Sequence, residues 1–463
     1  MVQTSERLPA GTAVPTHGVS FSQALAVWAR IAALSFGGPA GQIALMHRIL
    51  VDEKRWIGEK RFLHALNYCM LLPGPEAQQL ATYIGWLMHG VRGGLAAGLL
   101  FILPGFLAIL GLSFVYVLFG GTTLLGGVFL GLKAAVLVIV LQALLRIARR
   151  ALKGHLQVAI AVAAFLALAV LRLPFPLVIL LAGLFGFLAA QLHLPGFATK
   201  PAAADPAAGL EDHSLLGDSV PAHARPTVGW SLRMAAILAF LWAAPVVATW
   251  LVFGPGNVFT EIGLFFSKMA VVTFGGAYAV LAYVAQEAVG HYGWLRPGEM
   301  LDGLALAETT PGPLIMVLQF VGFLGAYRQP GILSPLEAAT LGAVLTTWVT
   351  FVPCFLFIFL GAPFIERLRG NQSLSAALSA ITAAVVGVIA NLALWFAIHT
   401  LFAEILTWQA GPVALDLPRL ASLQPIALCL TAGAAVLVFA LRLSVMPLLG
   451  LAALAGVLVN SLA

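Results

Sequence analysis

The stretch Ser35-Phe36-Gly37-Gly38-Pro39-Ala40-Gly41-Gln42 decides the fold, because it returns in altered form as Thr273-Phe274-Gly275-Gly276-Ala277-Tyr278-Ala279-Val280. Gly275 lies 238 positions after Gly37, and the same separation carries Trp56 onto Trp294. It also carries Pro73-Gly74-Pro75 onto Pro311-Gly312-Pro313. Three landmarks in one register indicate that the two halves of the chain are copies of one another.

The composition is that of a membrane protein. Of 463 residues, 61% are hydrophobic and 9% are charged, whereas about 25% of the residues of a soluble domain carry a charge. Crossing a bilayer core takes about 20 helical residues, and apolar runs near or above that length recur. We therefore predict an all-α polytopic membrane protein embedded in the lipid bilayer. The net charge of +6 reflects loop orientation and predicts no nucleic-acid partner. The apolar runs are 94–119, 121–145, 156–171, 174–192, 232–253, 335–360, 374–400, 424–441 and 444–462.

Shorter apolar pieces surround the repeated motifs. Residues 21–36 and 38–50 flank the first Phe-Gly-Gly, and residues 62–72 and 76–90 flank the first Pro-Gly-Pro. Each piece is too short to span a membrane alone. Glycine relaxes the limits on the backbone and proline removes a hydrogen-bond donor, so both joins interrupt a helix. The pattern predicts broken or re-entrant helices at matching places in the two halves.

Charged residues predict that the halves have opposite orientations. The loop 47–64 carries five Lys or Arg residues, and basic loops face the cytoplasm. Its counterpart, 285–302, has Arg296 alone among three carboxylates. Basic residues thus change sides between the halves, which predicts an inverted repeat. The chain then divides into a polar N-terminal tail (1–20), a first transporter repeat (21–192), a flexible cytoplasmic linker (193–229), a connecting transmembrane helix (230–255) and a second transporter repeat (256–463).

Inverted halves with helices interrupted at matching places are typical of a secondary transporter whose site lies between the repeats. The chain has no Gly-rich phosphate-binding loop of the GxxxxGK type, so ATP is not expected to drive transport directly. Cys69, Cys354 and Cys429 are scattered, and no spacing of His, Cys, Asp or Glu resembles a metal site. We expect neither a cofactor nor a bound metal.

The interrupted helices are suited to bind an anion. A helix start leaves backbone N–H groups free and carries about half a positive charge. Arg30 lies six residues before Phe36 and Lys268 six residues before Phe274, so a cation recurs at one position in both halves. These cations either face the site or extend to the membrane interface. The predicted substrate-binding set is Arg30, Phe36, Gly37, Gly38, Pro73, Gly74, Pro75, Arg92, Lys268, Phe274, Gly275, Gly276, Pro311, Gly312 and Pro313.

Two carboxylates beside the interruptions are candidates for coupling. Glu76 directly follows the first Pro-Gly-Pro, and Glu308 precedes the second by three residues. A carboxylate within a membrane either carries a proton or pairs with a basic residue, and the sequence leaves both uses open. Lys133 lies in an apolar span and has no counterpart in the second half. Trp56 and Trp294 are expected to anchor their loops at the membrane interface.

These residues also resemble the chromate ion transporter family. The second half repeats the core of the resemblance as Thr273-Phe274-Gly275-Gly276 and Thr309-Thr310-Pro311-Gly312-Pro313. The chain is similar in length to the long, two-domain form of that family. In the first half the resemblance rests on Phe36-Gly37-Gly38-Pro39, the charged loop ending at Trp56, Pro73-Gly74-Pro75, Tyr83-Ile84-Gly85, the stretch from Gly90 to Gly94 with Arg92, and Leu103-Pro104-Gly105.

The resemblance implies a secondary transporter that exports chromate across the inner, cytoplasmic membrane of a bacterium and so confers chromate resistance. Sulfate is the look-alike dianion, and a sulfate or other oxyanion transporter is the closest alternative. Protons as coupling ions and a homodimer stay open. A non-transporting scaffold or receptor is a rival from another class, and the paired cations argue against it. We do not expect an enzyme, since no pair of nucleophile and base is evident.

Overall fold

Helices make up nearly all of the regular structure in a computed structural model of the chain. The structure describes residues 18–193, 214–216, 227–274, 276–361, 372–411 and 413–462. Most of the predicted tail and linker, together with Gly275, lies outside these described residues. Within them, six helices are long and apolar enough to cross a membrane. The prediction of an all-α polytopic membrane protein is therefore confirmed.

The described part of the first half contains seven α-helices, and both predicted interruptions fall between helices. Gly37 separates the first two helices, and Pro73-Gly74-Pro75 separates the third from the fourth. The helices are α1 Phe21–Leu34, α2 Gly38–His47, α3 Glu59–Cys69, α4 Glu76–Phe119, α5 Thr123–Ala151, α6 His155–Ala169 and α7 Phe175–Gln191.

The second half repeats this order after a connecting helix. Gly276 precedes one short helix, and Pro311-Gly312-Pro313 separates the next two, with a 3-10 turn at Leu314–Met316. The helices are α8 Val228–Phe253, which makes the connection, then α9 Val258–Val272, α10 Ala277–Gln286, α11 Glu299–Thr309, α12 Val317–Arg328, α13 Pro335–Gly361, α14 Gln372–Leu401, α15 Pro425–Ala435 and α16 Val445–Leu462.

Local geometry recurs at positions 238 apart. After the second short helix of each half comes a π-helical turn that closes with an equivalent backbone bond. The Lys54 N–H donates to Ile49 O, and the Tyr292 N–H donates to Glu287 O, both at 2.9 Å. The two halves therefore fold alike around their interruptions, while their opposite orientation in the membrane stays a prediction. The two turns cover Arg48–Glu53 and Glu287–His291.

α4 joins two segments that the sequence predicts as separate. Gly90 has a φ of 62°, and the helical geometry stops there. A Cβ atom on Gly85 would lie 2.5 Å from the carbonyl oxygen of Gly93, although residues eight positions apart are about 12 Å apart along a straight helix. The chain therefore reverses at Gly90, between the segment that follows Pro73-Gly74-Pro75 and the first long apolar run.

A β-hairpin occupies the stretch near 402–420, where the sequence predicts only a loop. β1 (Ile405–Ala410) pairs antiparallel with β2 (Val413–Pro418). The hairpin contacts the turn between α6 and α7, where Arg172 forms an ion pair with Asp416 at 2.6 Å. The strand sequences Ile-Leu-Thr-Trp-Gln-Ala and Val-Ala-Leu-Asp-Leu-Pro do not alternate strictly between apolar and polar residues over their full length, so the pattern that predicts a strand is incomplete.

The repeated tryptophans lie inside the protein, so the prediction that they anchor loops at the membrane interface is wrong. Trp294 is fully buried and stacks on Tyr292 with ring centroids 4.2 Å apart. Trp56 is only 6% exposed. An interface anchor presents its ring to the lipid headgroups, whereas these two rings are enclosed by protein. They stabilise the turns that follow the interrupted helices.

Candidate functional site

Two equivalent backbone hydrogen bonds join the interruptions of one half to those of the other. The Gly312 N–H donates to Ser35 O at 2.8 Å, and the Gly74 N–H donates to Thr273 O at 2.7 Å. Ser35 and Thr273 occupy matching positions in the repeat, as do Gly74 and Gly312. Each Pro-Gly-Pro segment therefore holds the Phe-Gly-Gly interruption of the opposite half. We refer to these two contacts as the crossed bonds.

Side-chain hydroxyls complete the helix ends at the crossed bonds. Ser35 Oγ donates to Ile31 O at 2.6 Å, and Thr273 Oγ1 donates to Met269 O at 2.5 Å. Both hydroxyls return to the preceding turn of their own helix, which satisfies a carbonyl that the helix end leaves free. This contact explains why a residue with a hydroxyl group, Ser35 or Thr273, precedes Phe-Gly-Gly in each half.

Helix starts at the interruptions lack side-chain caps. α2 begins after Gly37, α4 after Pro75 and α10 after Gly276, and no side chain of the described residues accepts a hydrogen bond from their first turns. The same is true of α3, α6, α7, α11 and α15, whereas the first turns of α1, α5, α8 and α9 donate to Ser20, Thr122, Thr227 and Asn257. Uncapped N–H groups at a helix start can bind an anion. The interruptions therefore offer donors of the predicted kind.

The predicted glycines divide into an open and an enclosed group. Gly37, Gly38 and Gly276 have φ values of +82°, +73° and +96°, and a Cβ atom on any of them would meet no other atom within 4 Å. Gly74 (φ +120°) and Gly312 (φ +101°) are enclosed, since an added Cβ would lie 2.9 Å from Gln79 Nε2 and 3.1 Å from Gly105 Cα, respectively. Gly37, Gly38 and Gly276 thus border space that no other described residue fills, and Gly74 and Gly312 pack tightly.

Gln42 ties the two halves together at one of the crossed bonds. Its Nε2 atom donates to Gly312 O at 2.6 Å and approaches Ser35 O at 3.3 Å. The side chain is buried, and its Oε1 atom has no hydrogen-bond partner within the described residues. The sequence indicates a neutral amide here without identifying its partner, because Gly312 is 270 positions away in the chain.

The predicted coupling carboxylates have different surroundings. Glu308 is buried, and its Oε1 atom accepts a hydrogen bond from the Tyr278 hydroxyl at 2.5 Å. Glu76 lies half-buried in the first turn of α4 and forms no hydrogen bond or ion pair within the described part of the chain. Neither carboxylate forms an ion pair within 4 Å among the described residues. Arg146 nevertheless lies close enough to Glu308, and Arg150 to Glu76, for a Coulombic interaction.

The predicted cations lie at exposed positions. Arg30 forms an ion pair with Glu53 of the charged loop at 3.0 Å. Lys268 lies over the ring of Tyr283, 5.6 Å from its centroid, with Nζ 3.5 Å from the hydroxyl. Arg92 is exposed and forms no ion pair with any residue that the structure describes. None of these contacts is with the interruptions, and the role of the three cations in substrate binding stays a prediction.

Comparison with known families shows to which family the chain belongs. A family model described as "Chromate transporter" matches residues 22–187 and 260–457. The chain belongs to the chromate transporter family. The two matched stretches fall within the two predicted repeats. Since six helices of the described residues are long and apolar enough to cross a membrane, this family member is a multi-pass membrane protein.

Curated relatives of this family member are similar over most of their length. A "Chromate transport protein" of Pseudomonas aeruginosa is 35% identical over 377 residues, covering 80% of this chain and 80% of the relative. Another of the same name from Cupriavidus metallidurans is 26% identical over 407 residues, covering 84% and 85%. A "Probable chromate transport protein" of Synechococcus elongatus is 27% identical over 376 residues, covering 80% and 83%. No solved structure matches the chain significantly.

A second polar region of this chromate transporter family member is missed by sequence reasoning. A cavity of about 720 Å³ lies beside the start of α11, and we refer to it as the α11 cavity. Lys133, which lacks a counterpart in the repeat, pairs there with Asp302 at 3.2 Å. The sequence signal that could have revealed this region is the acidic segment 285–302, in which Asp302 follows Glu299 by three residues. Its charged lining residues are Lys133, Arg296, Glu299, Asp302 and Arg328.

Proposed function

We propose that this chain exports chromate across the cytoplasmic membrane of a bacterium and thereby confers chromate resistance. The observation that carries the proposal is the pair of crossed bonds, which brings interrupted helices of both halves into contact. Interrupted helices that meet between two repeats are where secondary transporters bind their substrates. The curated relatives are named for chromate transport, and we extend that substrate to this chain.

The proposed anion site uses the open glycines. Gly37, Gly38 and Gly276 border free space at uncapped helix starts, where backbone N–H groups and the helix dipole favour a negative charge. Gly74 and Gly312 contribute differently, because their N–H groups already donate to Thr273 and Ser35. We assign to the Pro-Gly-Pro segments the role of holding the halves together around the substrate.

An inverted arrangement of the halves is part of the proposal. The loop that carries Trp56 contacts the linker, since the Leu216 N–H donates to Trp56 O at 3.1 Å. The loop that carries Trp294 instead contacts α12, where Arg328 donates to Trp294 O at 2.5 Å. Contact with a linker that is predicted to be cytoplasmic supports a cytoplasmic position for the first loop only.

Cysteine labelling tests the inversion. Lys60→Cys and Pro297→Cys, each at an exposed position of the respective loop, are made in a Cys429→Ala background because Cys429 is the exposed native cysteine among the three. A membrane-impermeant thiol reagent should label Pro297→Cys in intact cells and Lys60→Cys only in inside-out vesicles. Labelling of both from one side would refute the inversion.

The membrane potential favours the outward direction. Moving a dianion out of a cell that is negative inside gains about 2 × 2.3 kcal/mol per 100 mV. Export is therefore electrically downhill, whereas uptake requires co-transported cations. We propose Glu308, with its hydroxyl donor Tyr278, as the first candidate to bind a coupling proton, and Glu76 as the second.

Transport into inside-out vesicles tests substrate and direction together. Vesicles that contain the protein should accumulate chromate, and accumulation should increase when the vesicle interior is made positive. Vesicles from cells lacking the protein are the control. Sulfate and molybdate are added as competitors, because a sulfate or other oxyanion transporter would transport sulfate in preference to chromate. Absence of chromate accumulation at any imposed potential would overturn the proposed function.

A further inference from the structure

We propose that the α11 cavity binds a doubly charged tetrahedral oxyanion through Lys133 and Arg296, as a second station on the transport path. The inference rests on the proposed function for the identity of the anion. The cavity volume of about 720 Å³ falls within the range of about 300–1,000 Å³ that is usual for small-molecule sites. Both halves of the chain contribute to its lining, since Lys133 lies on α5 and Arg296 precedes α11.

Lys133 is held at the cavity by a buried carboxylate. Its Nζ atom lies 3.2 Å from Asp302 Oδ1, and the Asp302 side chain is only 5% exposed, whereas that of Lys133 is 30% exposed. The second carboxylate oxygen, Oδ2, accepts a hydrogen bond from the Tyr116 hydroxyl at 3.0 Å. An ammonium group has three N–H donors, so the contact with Asp302 leaves donors available to a ligand. Asp302 is a positioning residue for Lys133.

Arg296 supplies the positive charge that the cavity does not neutralise. The neighbouring Arg328 is already paired, since it donates hydrogen bonds to Glu299 Oε1 at 2.7 Å and to Trp294 O at 2.5 Å. Glu299 is paired as well, because its Oε2 atom accepts the backbone N–H of Arg296 at 2.6 Å. Within the described residues, the guanidinium of Arg296 forms no ion pair and is exposed at the cavity.

Lys133 and Arg296 border the same space. Gly298, two residues after Arg296, has a φ of +89°, and a Cβ atom there would lie 3.4 Å from Lys133 Nζ. The loop that carries Arg296 therefore passes next to the lysine ammonium. A lysine and an arginine that line one cavity provide charge-assisted donors of the kind that bind tetrahedral oxyanions. Three cations against two carboxylates in the lining leave the cavity with a positive surplus.

Binding to the purified protein tests the site directly. Titration calorimetry with chromate and with sulfate is performed on the detergent-solubilised full chain, with Lys133→Gln and Arg296→Gln. We expect each variant to weaken anion binding at the cavity by about tenfold or more, as follows from the loss of a charge-assisted hydrogen bond, and to leave binding at the interrupted helices unchanged. The matched controls are Lys153→Gln, at an exposed position two residues after α5, and Arg419→Gln, in an exposed ion pair with Glu404. Both should bind the anion as wild type does.

A double variant separates ligand binding from a structural ion pair. Lys133→Gln combined with Asp302→Asn removes both charges and leaves no unpaired carboxylate. If Lys133 binds the anion, the double variant keeps the weakened binding even though its thermal stability recovers. Recovery of wild-type binding in the double variant would overturn the proposal, as would equal anion binding by wild type and Lys133→Gln, or no anion binding by wild type.

A failure of the cavity site can be distinguished from a failure of the proposed function. Chromate accumulation in vesicles tests the proposed function, whereas calorimetry tests anion binding in the cavity and requires no transport. A wild-type protein that binds sulfate through Lys133 but moves no chromate would retain the cavity site and refute chromate export. If chromate is transported, the Michaelis constant should increase about tenfold in Lys133→Gln and stay unchanged in Lys153→Gln.

Discussion

The two halves share a backbone at their interruptions and differ in the side chains beside it. The crossed bonds are equivalent in the two halves, at 2.8 Å and 2.7 Å. The first half contributes the buried amide of Gln42, where the second half has Val280. The second half contributes the Tyr278–Glu308 pair, and Ala40 stands at the position of Tyr278 in the first. Duplication thus preserved the scaffold while the polar groups diverged.

From this contrast in side chains we infer different roles for the two halves in the proposed transport. A neutral amide such as Gln42 connects the halves and cannot exchange a proton at physiological pH. A buried carboxylate such as Glu308 can. We therefore expect changes to the shared backbone to have similar consequences in both halves, and changes to the side chains to have unequal ones.

The largest expected effect comes from substitution of the enclosed glycines. Gly74→Ala and Gly312→Ala each place a Cβ at a positive φ and against packed atoms, so each should lower the free energy of unfolding by about 2 kcal/mol or more. The two losses should be similar. The added Cβ of Gly74→Ala meets the buried side chains of Gln79 and Cys354 at 2.9 Å and 3.0 Å, and that of Gly312→Ala meets the Gly105 backbone at 3.1 Å. The melting temperature of the purified protein measures both.

Gly111→Ala is the control for the enclosed glycines. Gly111 lies within α4, and an added Cβ would meet no atom within 4 Å. Alanine favours a helix over glycine by about 1 kcal/mol, so this variant should be at least as stable as wild type. A wild-type melting temperature for Gly312→Ala would show that the shared backbone is not constrained as we infer.

The next prediction compares a hydrogen bond that joins the two halves with a hydrogen bond inside the first half. Gln42→Leu removes the donor to Gly312 O, and Gln79→Leu removes a donor to Pro73 O at 2.7 Å in its own half. Each leaves a carbonyl oxygen without that donor, so each should cost about 1–3 kcal/mol of stability. Only Gln42→Leu should also slow chromate transport strongly. Equal transport rates in the two variants would contradict the proposed role of Gln42.

We expect the residue that couples chromate transport to protons to lie in the second half. Glu308→Gln should abolish the response of chromate transport to an imposed pH gradient, because an amide cannot exchange the proton. Tyr278→Phe removes one hydrogen bond and keeps the carboxylate, so a slower rate with a retained response is expected. Glu76→Gln is the comparison in the first half and should retain the response. Loss of the response in Glu76→Gln alone would reverse the assignment.

The smallest effect on stability is expected for the exposed cations. Arg30→Gln breaks an exposed ion pair with Glu53, and such pairs contribute about 0–1 kcal/mol. Lys268→Gln, whose partner is the Tyr283 ring, should be similarly mild. If the paired cations guide the anion, chromate efflux from cells should nevertheless fall in both variants at normal membrane expression. Retained resistance in both would remove them from the site.

Much of this architecture is predictable from the sequence, because its signals are local. Gly-Gly and Pro-Gly-Pro interrupt helices through backbone chemistry that each residue carries with it, and the structure places helix ends at both motifs. The apolar runs predict spanning helices in the same way. The β-hairpin at Ile405–Pro418 escapes prediction because its strands do not alternate strictly between apolar and polar residues over their full length, and because its partner Arg172 is distant in the sequence.

Partnerships between distant residues are decided by tertiary structure. The sequence shows an unmatched Lys133 but not its partner Asp302, which lies 169 positions later. It shows two repeated tryptophans but not that the fold buries them. It shows a recurring cation before each Phe-Gly-Gly, yet Arg30 pairs with the charged loop.

The sequence by itself determined the duplication, the sites of helix interruption, the membrane class and the family, because each depends on residue types and spacings along one chain. Only the tertiary structure decided that each Pro-Gly-Pro holds the opposite half, which glycines border open space, and which charges meet in the α11 cavity. The physical reason is that hydrogen bonds and ion pairs depend on distances of about 3 Å, and residues hundreds of positions apart reach such distances only through packing of the whole fold.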